Sequence, residues 1–229
     1  MPKTVLKKIN TRRPKGSKAR KLSFDAGLAI KELSAKDKKL AKLIRKVGLC
    51  TLELEPIDSP FHALAESIAY QQLTGKAAAT IFGRVMALFN SPEFLCPHEV
   101  FAISDESLRG AGLSRSKLAS MKDLASKAIE GLVPNAKELH KMSDEEIIER
   151  LITIRGIGSW TVEMMLIFRL GRPDVLPIHD YGVRKGFALT YGHDELPKPK
   201  ELLAYGERWR PYRTIASWYL WQANNLVKS

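Results

Sequence analysis

The stretch 152–160, "ITIRGIGSW", places Gly156 and Gly158 with one residue between them inside an otherwise apolar run. Glycine reaches backbone conformations with positive φ and lets another molecule approach its N–H group closely. The flanking segments have the apolar periodicity of helices. The pattern therefore predicts a helix that ends at Ile154, a tight turn through Gly158 and a second helix that Ser159 caps. This arrangement is a helix–hairpin–helix.

Such a turn is suited to binding an anion. Its backbone N–H groups lie beside the unpaired N–H groups that open the second helix, and the helix dipole favours negative charge there. The turn predicts a site for one phosphate. A Cβ at either glycine would keep the backbone N–H groups away from that phosphate. The glycine spacing alone leaves an ordinary helical hairpin open as the alternative. The predicted DNA contacts in this stretch are Gly156, Ile157, Gly158, Ser159 and Thr161.

The rest of the chain reads as helix almost throughout, with an extended connector at 53–56. Ser143 and Glu146 form the S-x-x-E pattern of a capping box. We expect an all-α fold: a compact two-lobed bundle of about ten helices that carries the helix–hairpin–helix DNA-binding motif. The predicted helices are 34–48, two between 60 and 89 that break near Thr74, 104–112, 114–132, 143–154, 159–171, 180–192 and 213–225.

The net charge of +12 is concentrated at the N-terminus. Residues 1–21 carry nine Lys or Arg and no acidic residue, which leaves 28 basic against 25 acidic residues in the remainder. We expect residues 1–21 to be a disordered arm that adds non-specific phosphate affinity, with a merely flexible or targeting extension as the alternative. Residues 22–229 are expected to form the folded domain. Because basic and acidic residues nearly balance in that domain, its binding to nucleic acid must be argued from particular binding sites rather than from net charge.

Composition excludes several classes of protein. Cys50 and Cys96 are too few for a metal site and are typical of a reducing interior. The five histidines show no ligand spacing, and no apolar run approaches the ~20 residues of a membrane span. We therefore expect a soluble intracellular protein with no metal and no membrane partner.

The segment "RGIGSWTVEMMLIFRLGRPDVLPIHDYGVRKGF" (155–187) resembles the signature of the helix–hairpin–helix base-excision DNA glycosylases. Within that superfamily the chain is most similar to the 3-methyladenine DNA glycosylase II family, which removes alkylated purines. Similar segments lie at 67–78, 112–125 and 205–221, in family order. Larger bacterial relatives carry an additional N-terminal α/β domain, so a chain of 229 residues is expected to be a compact form.

The resemblance places the catalytic carboxylate of the family on Asp180. Release of a base from deoxyribose passes through an oxocarbenium-like state, which a nearby carboxylate stabilises. An alkylated purine is already cationic and leaves without an acid, so one aspartate suffices. The alternative is that Asp180 only caps the following helix, and the two roles are compatible.

A base must leave the helical stack to reach such a site, which requires a pocket and a wedge. The resemblance implies that Trp160, Tyr181 and Trp221 line the pocket, where a cationic base gains a cation–π interaction. Met164 departs from the family pattern, which has an aromatic residue at its position. The wedge would be Leu73, flanked by Gln72 and Thr74; an ordinary helix break is the alternative there. In relatives the hairpin carbonyls, here those of Ile152, Ile154 and Ile157, can hold a monovalent cation.

Two departures from related families narrow the expected activity. Bifunctional relatives with lyase activity have a lysine where this chain has Trp160, and relatives with an iron–sulfur cluster have four C-terminal cysteines, whereas no cysteine follows Cys96. The resemblance thus implies a monofunctional, cofactor-free, monomeric glycosylase acting on double-stranded DNA that contains alkylated bases. Its compartment would be the cytoplasm, with the nucleoid, in a prokaryote or the nucleus in a eukaryote. The alternatives are a non-catalytic helix–hairpin–helix DNA-binding module and a basic-tailed RNA- or ribosome-associated protein.

Overall fold

The computed structural model describes residues 22–55, 57–89 and 94–227. Within these residues the chain forms thirteen α-helices and one short 3₁₀-helix, and no β-strand. The all-α prediction is confirmed. In chain order the helices are α1 (Ala26–Lys36), α2 (Lys38–Val47), α3 (Pro60–Tyr70), α4 (Gly75–Met86), α5 (Pro97–Ala102), α6 (Asp105–Gly110), α7 (Arg115–Ile129), α8 (Ala136–Lys141), α9 (Asp144–Leu151), α10 (Ser159–Phe168), α11 (Tyr181–Tyr191), α12 (Pro199–Gly206), the 3₁₀-helix (Glu207–Trp209) and α13 (Arg213–Leu226).

The chain divides into two compact units. The terminal unit comprises the described residues up to 55 and from 163 onwards, and the central unit those from 57 to 162. Helix α10 begins in the central unit and ends in the terminal unit. The predicted arm at 1–21 lies outside the described residues.

A buried carboxylate organises the terminal unit. Asp37 lies between α1 and α2, and its Oδ1 accepts the N–H groups of Lys39 and Leu40 at 3.1 and 3.0 Å. Its Oδ2 accepts the hydroxyl of Tyr191 at 2.6 Å and the indole N–H of Trp209 at 3.0 Å. One side chain therefore caps α2 and ties it to α11 and the 3₁₀-helix.

The central unit is built around α7. This helix packs against α3 and α5, and the side chains of Met121 and Leu124 on it are completely buried. The predicted capping box of α9 is confirmed: the Ser143 hydroxyl accepts the N–H of Glu146 at 3.1 Å, and the Glu146 carboxylate accepts the N–H of Ser143 at 2.7 Å. The capping box fixes the N-terminus of α9, the helix that precedes the hairpin.

Several predicted boundaries are wrong. The helix before the hairpin ends at Leu151 rather than Ile154, and Ser159 is the first residue of α10 rather than its cap. Asp37 interrupts the segment predicted as one helix over 34–48, because its side chain caps α2. The helices predicted to end at Phe89 and Gly171 end three residues earlier. Four helices were not predicted: α1, α5, α8 and α12. Three of these have six to eight residues, too few for a readable apolar period.

Candidate active site

The predicted wedge lies in a tight turn of the central unit. Helix α3 ends at Tyr70 and α4 begins at Gly75. Between them Gln72 has φ of 57°, the left-handed region that few non-glycine residues adopt, and Leu73 is half-buried. The Lys117 ammonium donates to the carbonyl of Ala69 at 2.8 Å, and burial lowers the pKa of this lysine. Lys117 thus anchors the end of α3, just before the turn.

The hairpin turn spans 152–158 and is fixed to α7 by polar contacts. The Asp123 carboxylate accepts the N–H of Arg155 at 2.7 Å and pairs with Lys127 at 3.0 Å. Lys127 also donates to the carbonyl of Thr153. Burial acts to raise the pKa of Asp123, but the Arg155 N–H and the Lys127 ammonium outweigh it, and the pKa is lowered. The hairpin is thus anchored through an ionised carboxylate.

The wedge turn and the hairpin turn are joined directly. The Gln71 side-chain amide donates from Nε2 to the carbonyl of Gly156 at 2.7 Å. These residues are 85 positions apart, so the contact has no local sequence signal. The structure brings together the two turns that the sequence assigned separately to DNA binding.

The two hairpin glycines have different constraints. Gly156 has φ of 79°, and a Cβ there would lie 2.5 Å from the Ser120 hydroxyl, so the protein itself requires glycine. A Cβ on Gly158 would meet no atom within 4 Å. Glycine at 158 is therefore not explained by packing and is consistent with close approach of a ligand.

The remaining predicted DNA contacts in the hairpin differ in exposure. The side chains of Ile157 and Thr161 are buried, with 3% and 8% of their surface exposed. The N–H of Ile157 donates to the carbonyl of Ile154 at 3.0 Å, and that of Thr161 to the carbonyl of Gly158 at 2.9 Å. Gly158 and Ser159 are exposed. The exposed part of the predicted anion site thus comprises Gly156 and the start of α10.

Asp180 lies in the terminal unit at the N-terminus of α11. Its Oδ1 accepts the N–H of Val183 at 2.8 Å, which confirms the predicted N-cap, and the indole N–H of Trp221 at 2.8 Å. Only 4% of the residue surface is exposed. The carboxylate is therefore oriented by two donors from different helices. One of them, Trp221, is 41 positions from Asp180 in the sequence.

The predicted pocket residues occupy different environments. Trp221 is 2% exposed and stacks on Phe168 with ring centroids 5.6 Å apart. Gly182 makes room for its hydrogen bond, because a Cβ there would lie 2.8 Å from Trp221 Cδ1 and 3.0 Å from Asp180 Oδ1. Tyr181 is 47% exposed, whereas Met164 and Trp160 are half-buried. Tyr181 is thus the aromatic surface most open to a ligand among the four predicted pocket residues.

Sequence reasoning missed one ionisable residue beside Asp180. Glu163 lies on α10, and burial together with the charge of Asp180 raises its pKa to about 7. Its Oε2 is buried and has no hydrogen-bond partner among the described residues. A signal was present in the sequence, because Glu163 is the one acidic residue of the apolar helix "SWTVEMMLIF".

Two features are absent from the described residues. They contain no group of three or more His, Cys, Asp or Glu side chains that could hold a metal ion. None of their helices is long and apolar enough to cross a bilayer.

Residues 65–211 match the family described as HhH-GPD superfamily base excision DNA repair protein. The chain belongs to this superfamily. It is 38% identical over 200 residues to DNA-3-methyladenine glycosylase 1 of Schizosaccharomyces pombe, covering 85% of this chain and 86% of that one. The fold of this HhH-GPD protein is similar to that of the S. pombe 3-methyladenine DNA glycosylase in complex with abasic DNA, with a TM-score of 0.75 and 37% identity, covering 88% of this chain and 98% of that one. It is also similar to a DNA-3-methyladenine glycosidase from Bacillus halodurans, with a TM-score of 0.79 and 35% identity over 93% of this chain and 95% of that one.

Proposed function

We propose that this HhH-GPD protein is a DNA glycosylase that hydrolyses the N-glycosidic bond of alkylated purines in double-stranded DNA, as a step of base excision repair. Its family and its 38% identity to a 3-methyladenine glycosylase support the class of reaction. The observation that carries the proposal is the Asp180 carboxylate, which Val183 N–H and Trp221 N–H hold at the start of a helix. A carboxylate that only caps a helix needs the Val183 N–H and does not need the Trp221 N–H.

The chemistry follows from a fixed negative charge. As the bond between C1′ and the base nitrogen breaks, positive charge develops on the sugar, and a preorganised carboxylate stabilises it. A 3-methyladenine or 7-methylguanine base is cationic before cleavage, so it takes the bonding electron pair and leaves as a neutral molecule. Water then adds to C1′ and loses a proton.

DNA binding would use the two turns of the central unit. The exposed start of α10 at Gly158 and Ser159 offers backbone N–H groups and the positive end of a helix to one phosphate. Leu73, in the turn after α3, would fill the space that the extruded base leaves. The hydrogen bond from Gln71 to Gly156 would keep wedge and phosphate site in register.

The proposal extends to the type of glycosylase, to bound ions and to the assembly state. Trp160 occupies the lyase-lysine position, which supports a monofunctional enzyme. The fold supplies no side-chain cluster for a metal among the described residues. A monovalent cation would be held by backbone carbonyls at 152, 154 and 157; that of Ile154 already accepts the N–H of Ile157 and retains a second lone pair. We further propose that the protein acts as a monomer, in the nucleoid or the nucleus.

The decisive variant is Asp180→Asn. Asparagine keeps an oxygen that accepts the Val183 and Trp221 N–H groups, so the fold should persist while the negative charge is lost. Single-turnover release of 3-methyladenine from methylated duplex should fall by roughly 10² or more. The matched control is Asp25→Asn, the same change at the N-cap of α1, where Oδ1 accepts the N–H of Gly27 at 2.7 Å. That control should release the base at the wild-type rate.

Near-wild-type release by a folded Asp180→Asn protein would refute the catalytic role. It would favour the non-catalytic DNA-binding module instead.

The same reactions, treated with borohydride, should give no covalent protein–DNA adduct, because no lysine amine forms an imine with the sugar. A trapped adduct would show that the enzyme is bifunctional.

A further inference from the structure

Glu163 has an unusual environment for an acidic side chain. It lies in a helix whose other residues are apolar, apart from Ser159 and Thr161. Its Oε2 is shielded from solvent and has no hydrogen-bond partner in the part of the chain that the structure describes. Buried polar atoms in native proteins are nearly always paired, so an unpaired one requires an explanation, such as a role in binding or catalysis.

The electrostatic surroundings of Glu163 favour its protonated form more than water does. Burial is the larger cause and the Asp180 charge the second, and together they raise the pKa of Glu163 to about 7. Arg169, the residue that follows α10, is paired with Glu55 at 3.1 Å. Arg213, in the same unit, is paired with Asp174 at 2.8 Å. A carboxyl group whose pKa is raised by the charge of a second carboxylate is a common arrangement of an acid and a charge-stabilising group.

We propose that Glu163 is the acid of a two-carboxylate site and donates a proton to neutral purine bases that this enzyme excises. This inference rests on the proposed glycosylase function and extends it to a second class of substrate. As the C1′–N9 bond breaks, the electron pair stays with the base and the Glu163 proton passes to a ring nitrogen of the base. The base leaves neutral, Glu163 is left as a carboxylate, and the sugar cation beside Asp180 is captured by water. Solvent then returns a proton to Glu163.

The two substrate classes should respond differently to pH. A neutral base needs the protonated form of Glu163, whose population falls tenfold per pH unit above about 7. A cationic base needs no proton, so the ionisation of Glu163 does not remove a required group. The pH profile therefore distinguishes an acid from a structural residue.

The test uses the full-length protein and two duplexes, one containing 1,N6-ethenoadenine, a neutral alkylated base, and one containing 3-methyladenine. Single-turnover rates are measured between pH 5.5 and 9. For wild type we expect ethenoadenine release to decline above pH about 7, with no such decline for 3-methyladenine. Parallel declines on both substrates would overturn the proposal.

The variant Glu163→Gln has the shape of the protonated side chain without its acidity. The loss on ethenoadenine should exceed the loss on 3-methyladenine by about 10², the usual contribution of a general acid, and the alkaline decline should disappear. Glu32→Gln, on α1 of the same unit, is the matched control. Equal losses on both bases, or a decline that persists in Glu163→Gln, would refute the assignment.

Failure of this inference differs from failure of the proposed function. Release of 3-methyladenine without release of ethenoadenine at any pH would overturn the role of Glu163 and leave the glycosylase assignment intact. Release of neither base would overturn both. The wild-type profiles need no folded variant, so they test the proposal independently of the substitution.

Discussion

Gly158 is a glycine that the packing of the protein does not explain. Positive φ and the Ser120 hydroxyl account for Gly156 without any ligand. Gly158 has neither constraint, since a Cβ there would occupy open space. A glycine that packing does not explain, at the start of a helix, is consistent with close approach of a ligand.

Gly158→Ala should leave the melting temperature close to wild type and weaken binding of an abasic duplex by about tenfold, the equivalent of one charge-assisted hydrogen bond. Fluorescence anisotropy and a thermal melt measure the two effects. Gly83→Ala, also in open space, should change DNA affinity little. Gly156→Ala should lower the melting temperature instead. Unchanged affinity in a folded Gly158→Ala protein would contradict the phosphate site.

The turn between α3 and α4 shows how one element is positioned by others. Lys117 on α7 donates to the carbonyl of Ala69 at the end of α3, and Gln71 donates to the carbonyl of Gly156, through bonds of 2.8 and 2.7 Å that fix the N-terminal side of the turn. Gln72, the next residue, has the left-handed conformation. Strain of this kind persists only where the surroundings fix it, and it is common at functional sites.

Leu73→Ala should slow base release from duplex DNA at least about tenfold more than release from a single strand. The reason is that only the duplex needs its vacated space filled, and one leucine side chain contributes ~1.5–3 kcal/mol of apolar burial. Single-turnover rates on both substrates provide the measurement. Leu203→Ala, an exposed leucine on α12, serves as the control. If both substrates slow equally, Leu73 is a structural residue.

In the terminal unit, stability depends on Asp37. Burial acts to raise its pKa, but hydrogen bonds from Leu40 N–H, Tyr191, Trp209 and Tyr205 outweigh it, so the pKa is lowered. A carboxyl with a lowered folded-state pKa stabilises the native state above the unfolded value, ~3.9, and this contribution is lost as pH falls through the folded value.

Asp37→Asn should therefore destabilise the protein by about 2 kcal/mol or more at pH 7, since hydrogen bonds to a charged group are weakened. The difference from wild type should shrink as the pH falls below ~4. Urea unfolding at a series of pH values measures it. Asp194→Asn, an exposed aspartate of the same unit, should show no such dependence. A difference that is constant with pH would mean that the Asp37 charge is not the stabilising feature.

Local pattern determined several helix ends of this protein: the capping box at Ser143, the N-cap at Asp180 and the helical end at Gly192 all follow from residues within a few positions of one another. Hydrogen bonds between residues three or four positions apart depend on a short stretch of sequence, so a local pattern is enough to predict them. Together with the resemblance, they were enough to predict the all-α class and the hairpin.

Tertiary structure alone decided which groups act together. The bonds from Trp221 to Asp180 and from Gln71 to Gly156 join residues 41 and 85 positions apart. The raised pKa of Glu163 arises from burial and from a carboxylate on another segment. Desolvation and through-space charge depend on what packs around a group, and no short stretch of sequence carries that information.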